Sequence, residues 1–130
     1  MTEPICLKDA LSTFHDHWSP RIIASLNGQE VKLAKFQGDF DWHAHEDEDE
    51  LFLVIEGKFT MAFRDREVEL KKGEMMVVPR GVEHRPMAAA ECHVLLFEPA
   101  GIVNTGNAVS SEKTNVAQWI NGATPPSAPN

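Results

Sequence analysis

The chain has 130 residues, 42% of them hydrophobic and 25% charged, a length for one domain and a composition that can build a packed core, which excludes wholesale disorder. Twelve basic residues against 20 acidic ones leave a net charge of −8. A surface of that sign repels duplexes and anionic bilayers, which are held by clustered Lys and Arg, so neither nucleic acid nor a membrane is expected as a partner.

The first residues, MTEPICLKDA, carry no basic region and no apolar stretch, so no signal peptide is expected. The longest aliphatic or aromatic run, residues 51–55, is far too short to span a membrane. Cys6 and Cys92 are too few for a disulfide scaffold or a zinc knuckle and are expected as reduced, buried thiols of a cytoplasmic protein. Leu7, Ala10, Leu11, Phe14 and Trp18 recur at helical offsets and predict an N-terminal helical segment within residues 1–20, ended by Ser19-Pro20.

From Arg21 onward the texture becomes β-like. Runs at 21–26 and 29–36 flank Asn27-Gly28, a strong hairpin signal. Further runs follow at 40–45, 50–56, 58–63, 66–70, 74–78, 84–88 and 92–98, separated by turn signals that include Gly57, Lys71-Lys72-Gly73, Pro79-Arg80-Gly81 and Ala89-Ala90-Glu91. Short strands so closely spaced predict an all-β antiparallel barrel or jelly roll over residues 21–99. Residues 100–130 form a C-terminal extension: coil over 101–107, a short helix or turn over 116–120 that docks Trp119, and a mobile tail over 122–130, which has three prolines and no bulky apolar group.

Strand alternation puts Asp41, His43 and His45 on one face and Phe40, Trp42 and Ala44 on the other. In the next run Glu50, Phe52 and Val54 oppose Leu51, Leu53 and Ile55. Both faces need cover. A small barrel covers only its inside, so the outside calls for the N-terminal segment or a second subunit, most simply a homodimer.

The chemistry concentrates in two clusters. His43-Ala44-His45 on a strand points two imidazoles the same way. A turn of four acidic residues follows, after which Glu50 can present a carboxylate to the same point. Then Gly73, Pro79 and Gly81 shape a turn that brings in His84. Alone, the acidic run reads as a solvated loop and His84 as an ordinary buried or surface histidine. Together the four residues His43, His45, Glu50 and His84 form a borderline ligand set for one divalent first-row ion: Fe, Mn, Zn, Ni, Co or Cu.

At these residues the sequence resembles the cupin superfamily. Gly38, His43, His45, Glu50 and Gly57 follow the first family motif, with four residues instead of five between Gly38 and His43. Gly73, Pro79, Gly81 and His84 follow the second, with Ala88 in place of its asparagine. The resemblance implies that residues 21–99 are one whole cupin barrel with His43, His45, Glu50 and His84 as metal ligands inside it. The texture is also similar to small bacterial cupins labelled phosphomannose-isomerase-like, a label that carries fold analogy alone.

If His84 faces inward, so do Pro86 and Ala88, while Glu50 brings Phe52 and Val54. That lining is apolar. Arg80 and Arg85 could clamp an anion at the mouth, but they read better as solvated charges offsetting the acidic turn. His93 and Glu98 fall on opposite faces of the last strand, so at most one faces the cavity, and that strand is left out of the site. His15-Asp16-His17 repeats the His-x-His pattern on a helical segment, where residues two apart diverge by about 200° and chelate poorly. Met75-Met76 reads as core filling. The expected function is a metal-dependent enzyme acting on a small organic molecule, with oxygenase-type chemistry ahead of sugar or sugar-phosphate isomerisation. A non-catalytic small-molecule binder or sensor is the alternative, and a metal that merely staples the barrel ranks last.

Overall fold

Asn27 (φ 50°) and Gly28 (φ 78°) both take the left-handed conformation that a tight hairpin requires, and the strands they join, β1 (Arg21–Leu26) and β2 (Gln29–Asp39), pair antiparallel. The computed structural model describes residues 3–120. The other elements are α1 (Leu7–Leu11), β3 (Glu50–Glu56), β4 (Lys58–Phe63), β5 (Glu67–Lys71), β6 (Met75–Val78), β7 (His84–Pro99) and β8 (Gln118–Trp119).

β7 organises the fold. Its first residues pair with β4, from Phe63↔His84 to Thr60↔Met87, and its later ones with β3, from Glu56↔His93 to Leu51↔Phe97. β2 runs along its length. One strand therefore belongs to both walls of the jelly roll, and the walls enclose Ala34, Phe36, Phe52, Val54, Phe59, Met61, Val94 and Leu96. On the outside, α1 and the residues after it pack Leu11 and Phe14 on Ile23 and Leu33. The expected alternation holds: Glu50, Phe52 and Val54 are buried, while Leu51, Leu53 and Ile55 are half-buried on the outer face.

Several sequence expectations are corrected. Residues 40–45 are not a strand; only His43 pairs, in an isolated bridge to His84. Residues 89–91 are not a turn but the middle of β7. The register passes from Phe36↔Cys92 to Gly38↔Ala88, so three residues of β7 face one of β2, and this bulge bends the strand from one wall into the other. Gly57 (φ 85°) sits against that bend. A Cβ there would lie 3.1 Å from the Glu91 carbonyl oxygen and 3.3 Å from the Cys92 Cα, so the close approach demands glycine.

The N-terminal helix ends at Leu11; Phe14 and Trp18 are buried without being helical. Residues 118–119 form β8, a short parallel partner of β1, where a helix or turn was expected. Cys92 is buried and burial pushes its thiol up to about 12, but Cys6 is exposed, against the expectation for both. The tail expected to be mobile, 122–130, lies outside the described residues. No helix among the described residues is long and apolar enough to cross a membrane.

Candidate metal centre

Backbone pairing builds the site. The amide of His43 donates to the carbonyl of His84 (3.1 Å), and the amide of His84 donates to that of His43 (2.9 Å). The two ring centroids consequently lie 4.2 Å apart. The Pro79-Arg80-Gly81 turn is tied to the same segment, because Gly81 donates its amide to the His45 carbonyl (2.8 Å). Asp49 Oδ1 accepts the amide of Arg80 (2.8 Å), which fastens the acidic turn to it as well. Glu50 opens β3 and His84 opens β7, so both side chains project from fixed strand ends. The structure brings together all four residues expected from the sequence: one donor atom from each of His43, His45, Glu50 and His84 lies within 4.8 Å of the others, and all four are buried.

The hydrogen bonds fix which nitrogens are free. Nδ1 of His43 donates to the Asp41 carbonyl (2.8 Å) and Nδ1 of His84 to the Val82 carbonyl (2.9 Å), since a carbonyl can only accept. Each neutral ring then carries its lone pair on Nε2. Nε2 of His45, Nε2 of His84 and Oε1 of Glu50 are buried without hydrogen-bond partners. Glu50 Oε1 lies 3.5 Å from His45 Nε2 and 3.8 Å from His84 Nε2, beyond hydrogen-bond reach. Buried, unpartnered nitrogens and a carboxylate oxygen converging on one point are satisfied by a cation, and the donor set suits a first-row ion. The residues fit the group.

Electrostatics agree. Burial, reinforced by His84 and His45, lowers the His43 imidazole to about 4, so it is neutral and ready to ligate at pH 7. Burial raises the Glu50 carboxyl, and it is held below its usual range only when a proton or positive charge on the His45 and His84 side faces it, the place a bound cation would take. Beside these donors is a cavity of about 30 Å³ whose wall includes His43, Glu50, Phe36, Phe40 and Phe52. Phe52 and Pro86 line it as expected; Val54 and Ala88 are buried in the core without lining it.

The sequence profile of the Cupin domain family matches residues 27–98, more than half of the chain. The chain is a cupin. It is 50% identical to a cupin-2 domain containing protein from Shewanella frigidimarina, whose crystal structure it matches with a TM-score of 0.72 over 73% of its own length and 93% of that chain. Over 64 residues it is 44% identical to YdbB, an uncharacterised protein of Bacillus subtilis, covering 48% of this chain and 57% of YdbB. Over 109 residues it is 31% identical to a germin-like protein of Morus alba, covering 77% of this chain and 50% of that one. The chain thus spans about half the length of these two curated relatives.

In this cupin a buried ion pair escaped the sequence reading. Glu98, not His93, faces inward; it is 4% exposed, and Lys32, 2% exposed, donates to its Oε1 at 2.8 Å. Burial first, then the neighbouring Glu50, push the Glu98 carboxyl well above its usual range against the pull of Lys32. The available signal was parity on β2: Lys32 shares the inward face of Ala34 and Phe36, and a lysine there requires an acid opposite.

The support that the C-terminal extension gives the site was also missed. Asn107 donates its amide to the Ala44 carbonyl (3.0 Å) and accepts the Ala44 amide on Oδ1 (2.9 Å), so it braces the residue between the two histidines. Gly106 (φ 54°) lies so close that a Cβ would overlap the Ala44 carbonyl. Gly106→Ala is expected to push the brace off the His43–His45 segment and weaken zinc binding by about tenfold or more, the effect of disturbing a ligand's outer support. Competition against a chromogenic chelator measures it, and unchanged affinity would mean that the brace does not hold the histidines.

Neither Arg80 nor Arg85 lines the cavity: Arg80 is exposed and pairs with Asp49 of the acidic turn, the role favoured from the sequence, whereas Arg85 is half-buried and pairs with Asp39, outside that turn. His15 is exposed, and His17 lies outside the site. His17 and His93 donate from Nε2 to Glu91 at 2.8 and 3.0 Å, holding its carboxyl down at about 2. Met76 packs against the core as expected, but Met75 is 56% exposed.

Proposed function

We propose that this cupin is a metal-dependent enzyme acting on a small organic molecule, with oxygenase-type chemistry. One observation carries the reading: unpartnered donors of His45, His84 and Glu50 converge beside a small cavity walled mainly by apolar side chains. A divalent first-row ion held by His43, His45, Glu50 and His84 would supply Lewis acidity or one-electron chemistry there. The chain's own contribution is orientation and exclusion of water. The Asp41 and Val82 carbonyls fix the tautomers of His43 and His84, while Phe36, Phe40 and Phe52 keep the wall dry. Sugar-phosphate isomerisation is disfavoured because a phosphate clamp needs free cations at the mouth, and Arg80 and Arg85 are engaged by carboxylates.

The test is oxygen uptake by the iron-loaded chain over a panel of short keto acids. Uptake that requires both iron and the acid, and is lost in Glu50→Ala, is the expected result. Saturable binding of the acids without uptake or product would make the protein a binder or sensor instead.

The outer face supports a second subunit. Leu51 neighbours Val77 and Phe97, and Leu53 neighbours Met75, across paired strands, and Val77 and Met75 are 50% and 56% exposed. α1 and the residues after it reach Ile55 and Leu95 but leave this patch outside their cluster. A homodimer packed through it is expected in sedimentation velocity at micromolar concentration, with Val77→Lys shifting it to monomer. A clean wild-type monomer would contradict the dimer.

A further inference from the structure

Half of the cavity wall comes from barrel strands, whose positions are set by sheet pairing, and Phe40 and His43 come from the irregular segment bridged to His84. Trp18 and Pro20, ahead of β1, and Asn104, after β7, close the remainder from outside the barrel. Trp18 is held there in an unusual way. Its φ of 60° is left-handed, a region that bulky residues rarely occupy unless their surroundings enforce it. Four hydrogen bonds do so. Its amide donates to the Lys35 carbonyl (2.9 Å) and its indole Nε1 to the Gln37 carbonyl (2.9 Å), while its own carbonyl accepts Asn104 Nδ2 (3.1 Å) and Asn115 Nδ2 (3.2 Å). The ring stacks on Phe36 with centroids 4.5 Å apart and lies 4.8 Å from Phe40.

A tryptophan needed only as core filling could have stayed on the helical stripe with Leu7 and Leu11. Instead the chain leaves the helix and takes up a strained residue that presents the indole to the cavity shared by His43 and Glu50. With the indole in place, about 30 Å³ remains, room for roughly two or three water-sized groups. We infer that Trp18 is the specificity-determining residue of this pocket: it admits ligands of about two or three heavy atoms in depth, such as small anions and short carboxylates, and excludes ring-bearing ones. The inference rests on the metal reading above, because the ligands it selects are those that reach the ion.

Trp18→Ala and Trp18→Phe test it, the second keeping an aromatic ring on Phe36 and Phe40 should the first fail to fold. In the cobalt-loaded chain, azide is expected to change the visible spectrum of wild type and both variants alike. 4-Phenylimidazole is expected to leave wild type unchanged and to bind the alanine variant about tenfold or more tightly, with phenylalanine between. A purely structural tryptophan would not separate the two probes. Equal 4-phenylimidazole affinity in wild type and variants overturns the assignment. Metal-free protein keeps this distinct from the metal reading: indole taken up by Trp18→Ala but not by wild type, in chains that bind no cobalt, supports Trp18 as the wall while removing the metal. No indole uptake by the folded alanine variant overturns the assignment of Trp18.

Discussion

Replacing His84 with alanine is expected to remove the metal and leave the barrel standing. The hydrogen bonds that place His84 beside His43 run between backbone groups, and the pairing of Phe63 with residue 84 is likewise a backbone contact, so alanine preserves them. What it deletes is one of the converging donors. Metal affinity should fall by more than about 100-fold, beyond the cost of disturbing an outer partner, while the β-type circular dichroism spectrum is largely retained. His43→Ala should behave the same way. Asp47→Ala, on the exposed acidic turn, should leave affinity unchanged. Full metal occupancy in both histidine variants would mean that the ion binds elsewhere.

The second large effect lies behind the site. Lys32→Met leaves Glu98 buried beside Glu50 with no cation facing it. Breaking a buried pair costs about 3–5 kcal/mol, and the lower end, about 3 kcal/mol, is expected because burial and Glu50 already favour the protonated form of Glu98. Urea unfolding of the metal-free chain at neutral pH measures the loss. Lys32→Met combined with Glu98→Met replaces the pair by packed apolar groups and should recover most of it, since such replacements are often neutral or better. A double variant no more stable than the single one would show that the two charges are not paired in solution.

The four donors were legible because each is set by short-range spacing: His-x-His, a carboxylate at a strand start, and a glycine-proline-glycine turn ahead of His84. The alternation predicted for residues 40–45 gave the right facing for His43 and His45, for a different reason, and failed for Phe40, which lines the same cavity as His43. His43 and His45 point inward because one bridge to His84 and the Asn107 brace hold an irregular segment, not because a strand forms. Glu98 was legible only through Lys32 on β2, since the facing of β7 depends on its register against β2, and the bulge at residues 89–91 resets that register midway. Periodicity placed Trp18 on a helix that ends seven residues earlier. Gly106 and Asn107 carry no periodic signal; their role follows only from where the extension crosses the His43–His45 segment.

Metal content tests the central claim most directly. Elemental mass spectrometry on untagged protein purified without chelators is expected to find close to one first-row transition ion per chain, and none in a His43→Ala, His84→Ala double variant. A wild-type chain that holds no such ion, even after reconstitution with iron, manganese, zinc, nickel, cobalt and copper in turn, would contradict the account and leave a barrel that binds its ligand without a metal.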